Sequence, residues 1–221
     1  MNINFTPRNY SYFIEWFHSF SCSLIFGVLF FVFIIICYLR VNINFFLTNI
    51  EYQWGEFLCG VIPILILCIQ IIPSLGLLYY YGLISIYSDI SLKIIGHQWY
   101  WSYEYCDFVN ISFDSYIKRT DILDLGDFRL LEVDNRCVLP VNLRVRFCVT
   151  SLDVIHSWTI FNFFIKIDAM RGIIRVFNFR FPMVGIFYGQ CSEICGANHR
   201  FMPIVLEVTL FNIYKNWCLI F

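Results

Sequence analysis

The stretch from Cys191 to Met202 concentrates the chemistry of this sequence. Cys191-Ser192-Glu193-Ile194-Cys195-Gly196-Ala197-Asn198-His199-Arg200-Phe201-Met202 offers two thiols, an imidazole and a thioether within twelve residues. Thiolate and thioether are soft donors that favour copper(I), and imidazole suits copper in either oxidation state. A second imidazole, His156, stands 35 residues before Cys191, just beyond the alternating run 143–149. A β-sandwich can bring such a strand end beside a distant loop. Cys191, Cys195, His199 and His156 satisfy a structural zinc site by number, but zinc has no use for Met202. A disulfide between Cys191 and Cys195 would leave His199 and Met202 without a role. A c-type haem needs Cys-x2-Cys-His, which this segment does not contain. A blue-copper site uses one Cys, two His and a weak axial Met. This loop has that set and one thiolate more, which allows two copper ions to share two bridging sulfurs with one histidine terminal to each.

The other eight of the ten cysteines are scattered. Cys22, Cys37, Cys59 and Cys68 lie singly in apolar runs, and Cys106, Cys137, Cys148 and Cys218 are isolated. The first four read as small buried hydrophobes, and the other four are given no role.

Two kinds of element must position the ligands. Of the 221 residues 59% are hydrophobic and only 14% charged, against about 25% charged in a soluble domain, which points to lipid. The 25 Phe and 14 Tyr also fit an AT-rich coding bias. Net charge is −1 with no basic tract, so nucleic acid is not an expected partner. Residues 1–87 carry only Arg8, Arg40, Glu15, Glu51 and Glu56 as charges, and ordinary charge density begins after Tyr87. The reading is therefore a membrane α-helical hairpin in residues 1–87, with helices over about 17–39 and 57–82, followed by a domain over 88–221. Each apolar run reaches the roughly 20 residues that a bilayer core requires. The first has neither the basic leader nor the small-residue cleavage site of a signal peptide. Pro63 and Pro73 fall inside the second run, where a membrane helix tolerates them. Two spans place both termini on one side, and the loop between them has too few basic residues to set the orientation.

Beyond residue 88 the period changes to two. Leu143, Val145, Phe147 and Val149 alternate with Asn142, Arg144, Arg146 and Cys148. Phe177, Phe179 and Phe181 alternate with Asn178 and Arg180. Ile204, Leu206, Val208 and Leu210 alternate with Val205, Glu207 and Thr209. Each run predicts a strand with one buried face. Turn signals at Leu125-Gly126-Asp127 and Asp134-Asn135 separate them. The sum is an all-β Greek-key sandwich or barrel.

Several segments also resemble one family. Tyr188–His199 resembles the binuclear copper loop of cytochrome c oxidase subunit II. Gly96-His97-Gln98-Trp99-Tyr100-Trp101-Ser102-Tyr103-Glu104-Tyr105 resembles that family's aromatic segment, and Leu131–Asn135 and Asp153–Trp158 match as well. The resemblance runs from about Glu56 to Phe211 and implies a cupredoxin-like barrel after the hairpin. It implies copper ligands at His156, Cys191, Cys195, His199 and Met202 through side chains and at Glu193 through its backbone carbonyl. It gives the Glu193 carboxylate to a magnesium ion shared with the catalytic subunit, a fit to magnesium's preference for oxygen ligands. Trp99 becomes the electron entry point, with Tyr100 beside it, and Glu56 the acid at the mouth of a proton channel. Trp99, Trp101, Tyr103 and Tyr105 are expected on one strand face, and His97 as a structural histidine.

The implied activity is transfer of electrons from cytochrome c through the copper pair to the haem of subunit I, where oxygen is reduced and protons are pumped. The implied location is the mitochondrial inner membrane, among the other oxidase subunits, with the copper domain in the intermembrane space. Eight acids against three bases between Glu104 and Asp134 give a local net charge of −5. Glu104, Asp107, Asp114 and Asp134, with Asp153, are the expected docking acids for a basic cytochrome c. Arg200 in the loop and Arg171-Gly172-Ile173 after Met170 depart from the family pattern. A membrane-anchored copper chaperone of the thioredoxin-like type is the alternative, since it also uses Cys-x3-Cys and a histidine. Such chaperones resemble a single-span anchor with the histidine far downstream, whereas here His199 follows Cys195 by four.

Overall fold

The computed structural model describes residues 10–41, 52–82, 87–108 and 111–220. The N-terminal segment with Arg8 and the connection between the apolar runs with Glu51 lie outside the described residues. The chain divides into two compact units, one holding the two apolar helices and the other the β-rich remainder.

Helix α1 runs Tyr10–Val41 and α2 runs Gln53–Gly82. α1 begins earlier than the apolar run itself because nothing between Tyr10 and Trp16 breaks a helix: neither Pro nor Gly intervenes, and Glu15 is a good helix former. α2 likewise starts ahead of its apolar run and carries Pro63 and Pro73 internally. Both helices are long and apolar enough to cross a membrane, with mean hydropathy 2.9 and 2.5 over their most apolar windows. Phe26, Phe30, Phe31, Phe33, Leu65 and Ile72 stand exposed on them, as side chains do when lipid is their solvent.

Among the described residues the β-rich unit has ten strands: β1 Ile90–His97, β2 Tyr100–Tyr105, β3 Ser112–Ser115, β4 Cys137–Pro140, β5 Arg144–Ser151, β6 His156–Ile160, β7 Ile165–Ala169, β8 Arg175–Arg180, β9 Gly185–Gln190 and β10 Pro203–Thr209. They form sheets ordered β3-β2-β1-β5-β8 and β4-β10-β9, with a β6-β7 ribbon. β1 pairs with β5, and β10 with β4, in parallel; the other pairings are antiparallel. β6 packs against β1, β9 and β10, so the ribbon lies between the two sheets.

The expected alternation holds in β5, where Val145, Phe147 and Val149 are fully buried between more exposed Arg144, Arg146 and Cys148. It does not hold in β10. Val205 and Thr209 are buried along with Ile204, Leu206 and Val208, because β10 is the central strand of its sheet, covered on both faces. Trp101, Tyr103, Phe147 and Trp158 form the centre of the core, and the Trp158 indole N–H donates to the Tyr103 hydroxyl at 3.3 Å. A C-terminal helix, α3 Phe211–Ile220, which periodicity alone did not single out, closes one end by burying Tyr214 and Cys218.

One glycine is essential to this packing. A Cβ added at Gly189 would lie 1.8 Å from the Thr159 carbonyl oxygen. That atom is backbone and cannot swing aside. Gly189→Ala is therefore expected to destabilise the chain by about 3 kcal/mol or more, seen as a lowered thermal midpoint and poor yield of folded protein. A midpoint within a degree of the parent would refute the close approach of β9 to β6.

Candidate metal centre

The ligand loop is the whole connection between β9 and β10. Gln190 pairs with Pro203 across the antiparallel ladder, so residues 191–202 leave the sheet and return at one point. The Ser192 N–H donates to the Ser157 carbonyl at 3.1 Å, pinning the loop to the first residues of β6. His156 opens β6 and is fully buried. It fits because residue 96 on β1 is glycine: a Cβ there would stand 2.9 Å from the imidazole. A tight turn over His199–Phe201 then brings His199 and Met202 to the other side of the loop.

The six donors that the sequence suggested meet. Cys191 Sγ lies 3.9 Å from His156 Nδ1 and 3.3 Å from the Glu193 carbonyl oxygen. Cys195 Sγ lies 3.5 Å from His199 Nδ1 and 3.5 Å from Met202 Sδ. The two sulfurs are 4.0 Å apart, about twice a disulfide bond length, so the pair is free thiols. Each cysteine thus has its own histidine and its own weak donor, a carbonyl for one and a thioether for the other. His156, Cys191 and Cys195 offer atoms within 4.8 Å of one another. A lone tetrahedral ion would use four strong donors about one centre; here they fall into two pairs sharing a sulfur edge.

Electrostatics separate the two thiols. Burial alone would raise the Cys191 pKa, but hydrogen bonds from His156 and the Ser157 backbone, with the nearby imidazole charge, outweigh it and lower the thiol. Burial and the neighbouring Cys191 charge push Cys195 up to about 12. For His156 burial works toward a lower pKa, yet Cys191 and Asp153 on its two ring nitrogens prevail and raise it. At neutral pH the metal-free site therefore retains a proton on Cys195, and the raised His156 pKa shifts its ring toward the protonated form. A metal needs both thiolates and a neutral imidazole, so its binding releases protons and tightens as pH rises. Competition with a chelator between pH 6 and 8 should show apparent copper affinity rising by roughly one power of ten or more per pH unit. A flat profile would contradict this protonation scheme.

Trp99 is not on the strand face expected for it. β1 and β2 close on the pair His97–Tyr100, which leaves Gln98 and Trp99 as a two-residue turn joined by a cis peptide bond. Trp101, Tyr103 and Tyr105 go into the core, while the half-buried Trp99 turns onto the ligand loop. Its indole N–H donates to the Cys195 carbonyl at 3.3 Å. Tyr100 stacks between His97 and Tyr116, with ring centroids 4.4 Å apart on either side. Burial lowers the His97 pKa more than Asp153 and Asp114 raise it.

The docking acids differ among themselves. Asp153 is directed inward: one carboxylate oxygen meets His156 Nε2 at 2.8 Å and the other accepts the Gln98 backbone N–H at 2.6 Å. Glu104 is paired with Lys93 at 2.7 Å. Glu132, counted in the acidic stretch, is buried and held by Arg136 at 3.0 Å and the Tyr188 hydroxyl at 3.1 Å. Asp107, Asp114 and Asp134 accept hydrogen bonds from the Ser91 N–H, the Ser102 hydroxyl and the Tyr116 N–H. Those donors are neutral groups, not cations. The Glu193 carboxylate reaches Lys166 at 3.9 Å. Arg171 and Arg200 are exposed. Glu56 sits exposed in the first turn of α2, where the helix dipole favours an acid.

Sequence reasoning missed the roles of Gln98 and of Asp153 as the partner of His156. Both depend on contacts across 55 or more residues or on a local bend. The one available signal was an acid three residues before a ligand histidine.

Known proteins place the chain in one family. A family profile described as cytochrome C oxidase subunit II, periplasmic domain, matches residues 90–209. Cytochrome c oxidase subunit 2 of Caenorhabditis elegans is 55% identical over 218 residues, 98% of this chain and 94% of that protein. The solved periplasmic domain of subunit II of cytochrome oxidase from Bradyrhizobium japonicum is 42% identical with a TM-score of 0.56, covering 61% of this chain and 94% of that one. A structure of a thioredoxin-like protein in mixed disulfide with subunit II of cytochrome c oxidase is 39% identical with a TM-score of 0.55, covering 62% of this chain and 94% of that one. The β-rich unit is thus the cupredoxin-like domain of these proteins.

Proposed function

The chain belongs to the cytochrome c oxidase subunit II family, and on that premise we propose that it is the electron-entry subunit of a respiratory oxidase, with binuclear copper held by His156, Cys191, Glu193, Cys195, His199 and Met202. The observation that carries this reading is the pairing of each histidine with a different cysteine across sulfurs 4.0 Å apart. Copper bound there supplies a store for one electron, shared over both metals and both sulfurs.

The chain's own residues prepare that chemistry. His156, Cys191, Cys195 and Met202 are buried, so water is excluded and the donors are held before the metal arrives. Asp153 fixes the His156 ring and makes it a better donor. The Glu193 carbonyl and the Met202 thioether fill the remaining directions weakly, which leaves the centre suited to relay electrons rather than to bind a substrate. Trp99 links the surface to Cys195 through one hydrogen bond, which supports its role as entry point for electrons from cytochrome c, with Tyr100 beside it. Asp107, Asp114 and Asp134 steer that basic partner, raising the encounter rate more than the final affinity.

The Glu193 carboxylate would take magnesium at the contact with catalytic subunit I, whose haem receives the electrons and reduces oxygen as protons are pumped. Glu56 serves the mouth of a proton channel there. α1 and α2 anchor the chain in the mitochondrial inner membrane, with the copper domain in the intermembrane space. The copper-chaperone alternative draws no support from a β-sandwich of the subunit II family.

Electron paramagnetic resonance on the purified, oxidised complex tests the copper assignment. The expected spectrum is that of one unpaired electron divided equally over two copper nuclei, with two coppers per chain and near-infrared absorption. A spectrum of isolated single coppers would overturn it.

A further inference from the structure

We propose that Gln98 is a positioning residue for electron entry, tying the turn that carries Trp99 to both halves of the ligand loop. The inference rests on the reading of that loop as the copper site and of Trp99 as the entry ring. The Gln98 backbone N–H donates to one oxygen of Asp153 at 2.6 Å, and the other oxygen meets His156 Nε2 at 2.8 Å. The Gln98 side-chain amide donates to the Cys195 carbonyl at 2.8 Å. One residue thereby completes a chain of hydrogen bonds from His156 through Asp153 to Cys195, and so spans both histidine–cysteine pairs.

The entry ring depends on that clamp. The Trp99 indole reaches the same Cys195 carbonyl at 3.3 Å, longer than the usual N–H···O distance, and its ring is half-buried. Gln98 makes the shorter bond to the shared oxygen. Both side chains lie directly over Gly196, where a Cβ would come within 3.1 Å of Gln98 Nε2 and of Trp99 Cζ2. Without the amide, the turn keeps its ladder pair at His97–Tyr100 but loses its strongest hold on the loop. The separation between ring and metal site is then free to change. Electron transfer slows steeply as donor and acceptor separate, so losing one of the two holds should slow entry several-fold.

The test uses the intact oxidase with Gln98→Ala and Gln98→Glu. The second keeps the length of the side chain and the backbone N–H to Asp153 but turns the donor into an acceptor facing a carbonyl. Both variants are expected to retain two coppers and the shared-electron resonance. In single-turnover mixing with reduced cytochrome c, the rate of electron entry should fall several-fold while KM for cytochrome c stays at the parent value. Entry at the parent rate overturns the proposal. So does a raised KM with an unchanged single-turnover rate, since Gln98 would then act only in docking. Loss of copper from both variants overturns it too, because Gln98 would be holding the loop together rather than placing the entry ring. If the parent itself lacks the shared-electron resonance, the copper-site reading fails, and this inference fails with it for a reason the variants do not enter.

Discussion

Cys195→Ser is expected to halve the copper content and to abolish the shared-electron resonance and near-infrared absorption together. Cys195 is the sulfur that both reaches the second histidine and touches the thioether: His199 Nδ1 and Met202 Sδ each lie 3.5 Å from it. A serine hydroxyl is a hard donor and does not replace a thiolate for copper. His156, Cys191 and the Glu193 carbonyl remain as one set of three donors, while His199 and Met202 are left with no thiolate between them. Electron entry from cytochrome c should fall by more than about a hundredfold, beyond what the loss of a supporting hydrogen bond produces. Metal analysis beside electron paramagnetic resonance reads this directly. Two coppers per chain with an undiminished resonance would mean that Cys195 is not shared between metals.

Oxidation of the metal-free chain should have an effect of similar size. The two thiols are 4.0 Å apart, and the lowered Cys191 pKa supplies the thiolate that attacks during disulfide exchange. A mild disulfide oxidant would take two electrons from the Cys191 thiolate and the Cys195 thiol, with the one proton of Cys195, and leave a bond of about 2.05 Å. Both bridging donors are lost in that step. Copper uptake at this loop should therefore drop to nothing after oxidation and return in full after treatment with a dithiol. Peptide-level alkylation distinguishes Cys191 and Cys195 from the eight other cysteines. An oxidised chain that still loads two coppers would refute the use of both thiolates.

Much of this molecule was legible before any coordinates. Charge-free runs of twenty or more apolar residues leave a helix in lipid as the only way to satisfy their backbone, so α1 and α2 followed from composition, and the difference lay mainly in their earlier starts. Period-two runs fixed β5 because one of its faces is covered and the other open. The same rule misjudged β10, since a strand covered on both faces loses its alternation. The donor atoms were legible too: soft sulfur and imidazole in twelve residues name a class of metal whatever the fold.

What the residue types and their spacing determined by themselves, then, was the chemistry available and the elements able to carry it. The partners of each group were decided only by the tertiary structure. Trp99 was read as a strand residue, yet the hairpin closes one position later and delivers its indole to the Cys195 carbonyl, 96 residues away. Asp153 was read as a surface charge, yet the bend before β6 turns it onto His156. Gln98 had no reading, and it touches both ends of the site. The reason is physical. A side chain's donor type is a local property that survives in any conformation. Its hydrogen-bond partner across a hundred residues exists only once sheet register and loop closure have set two backbones a few ångströms apart.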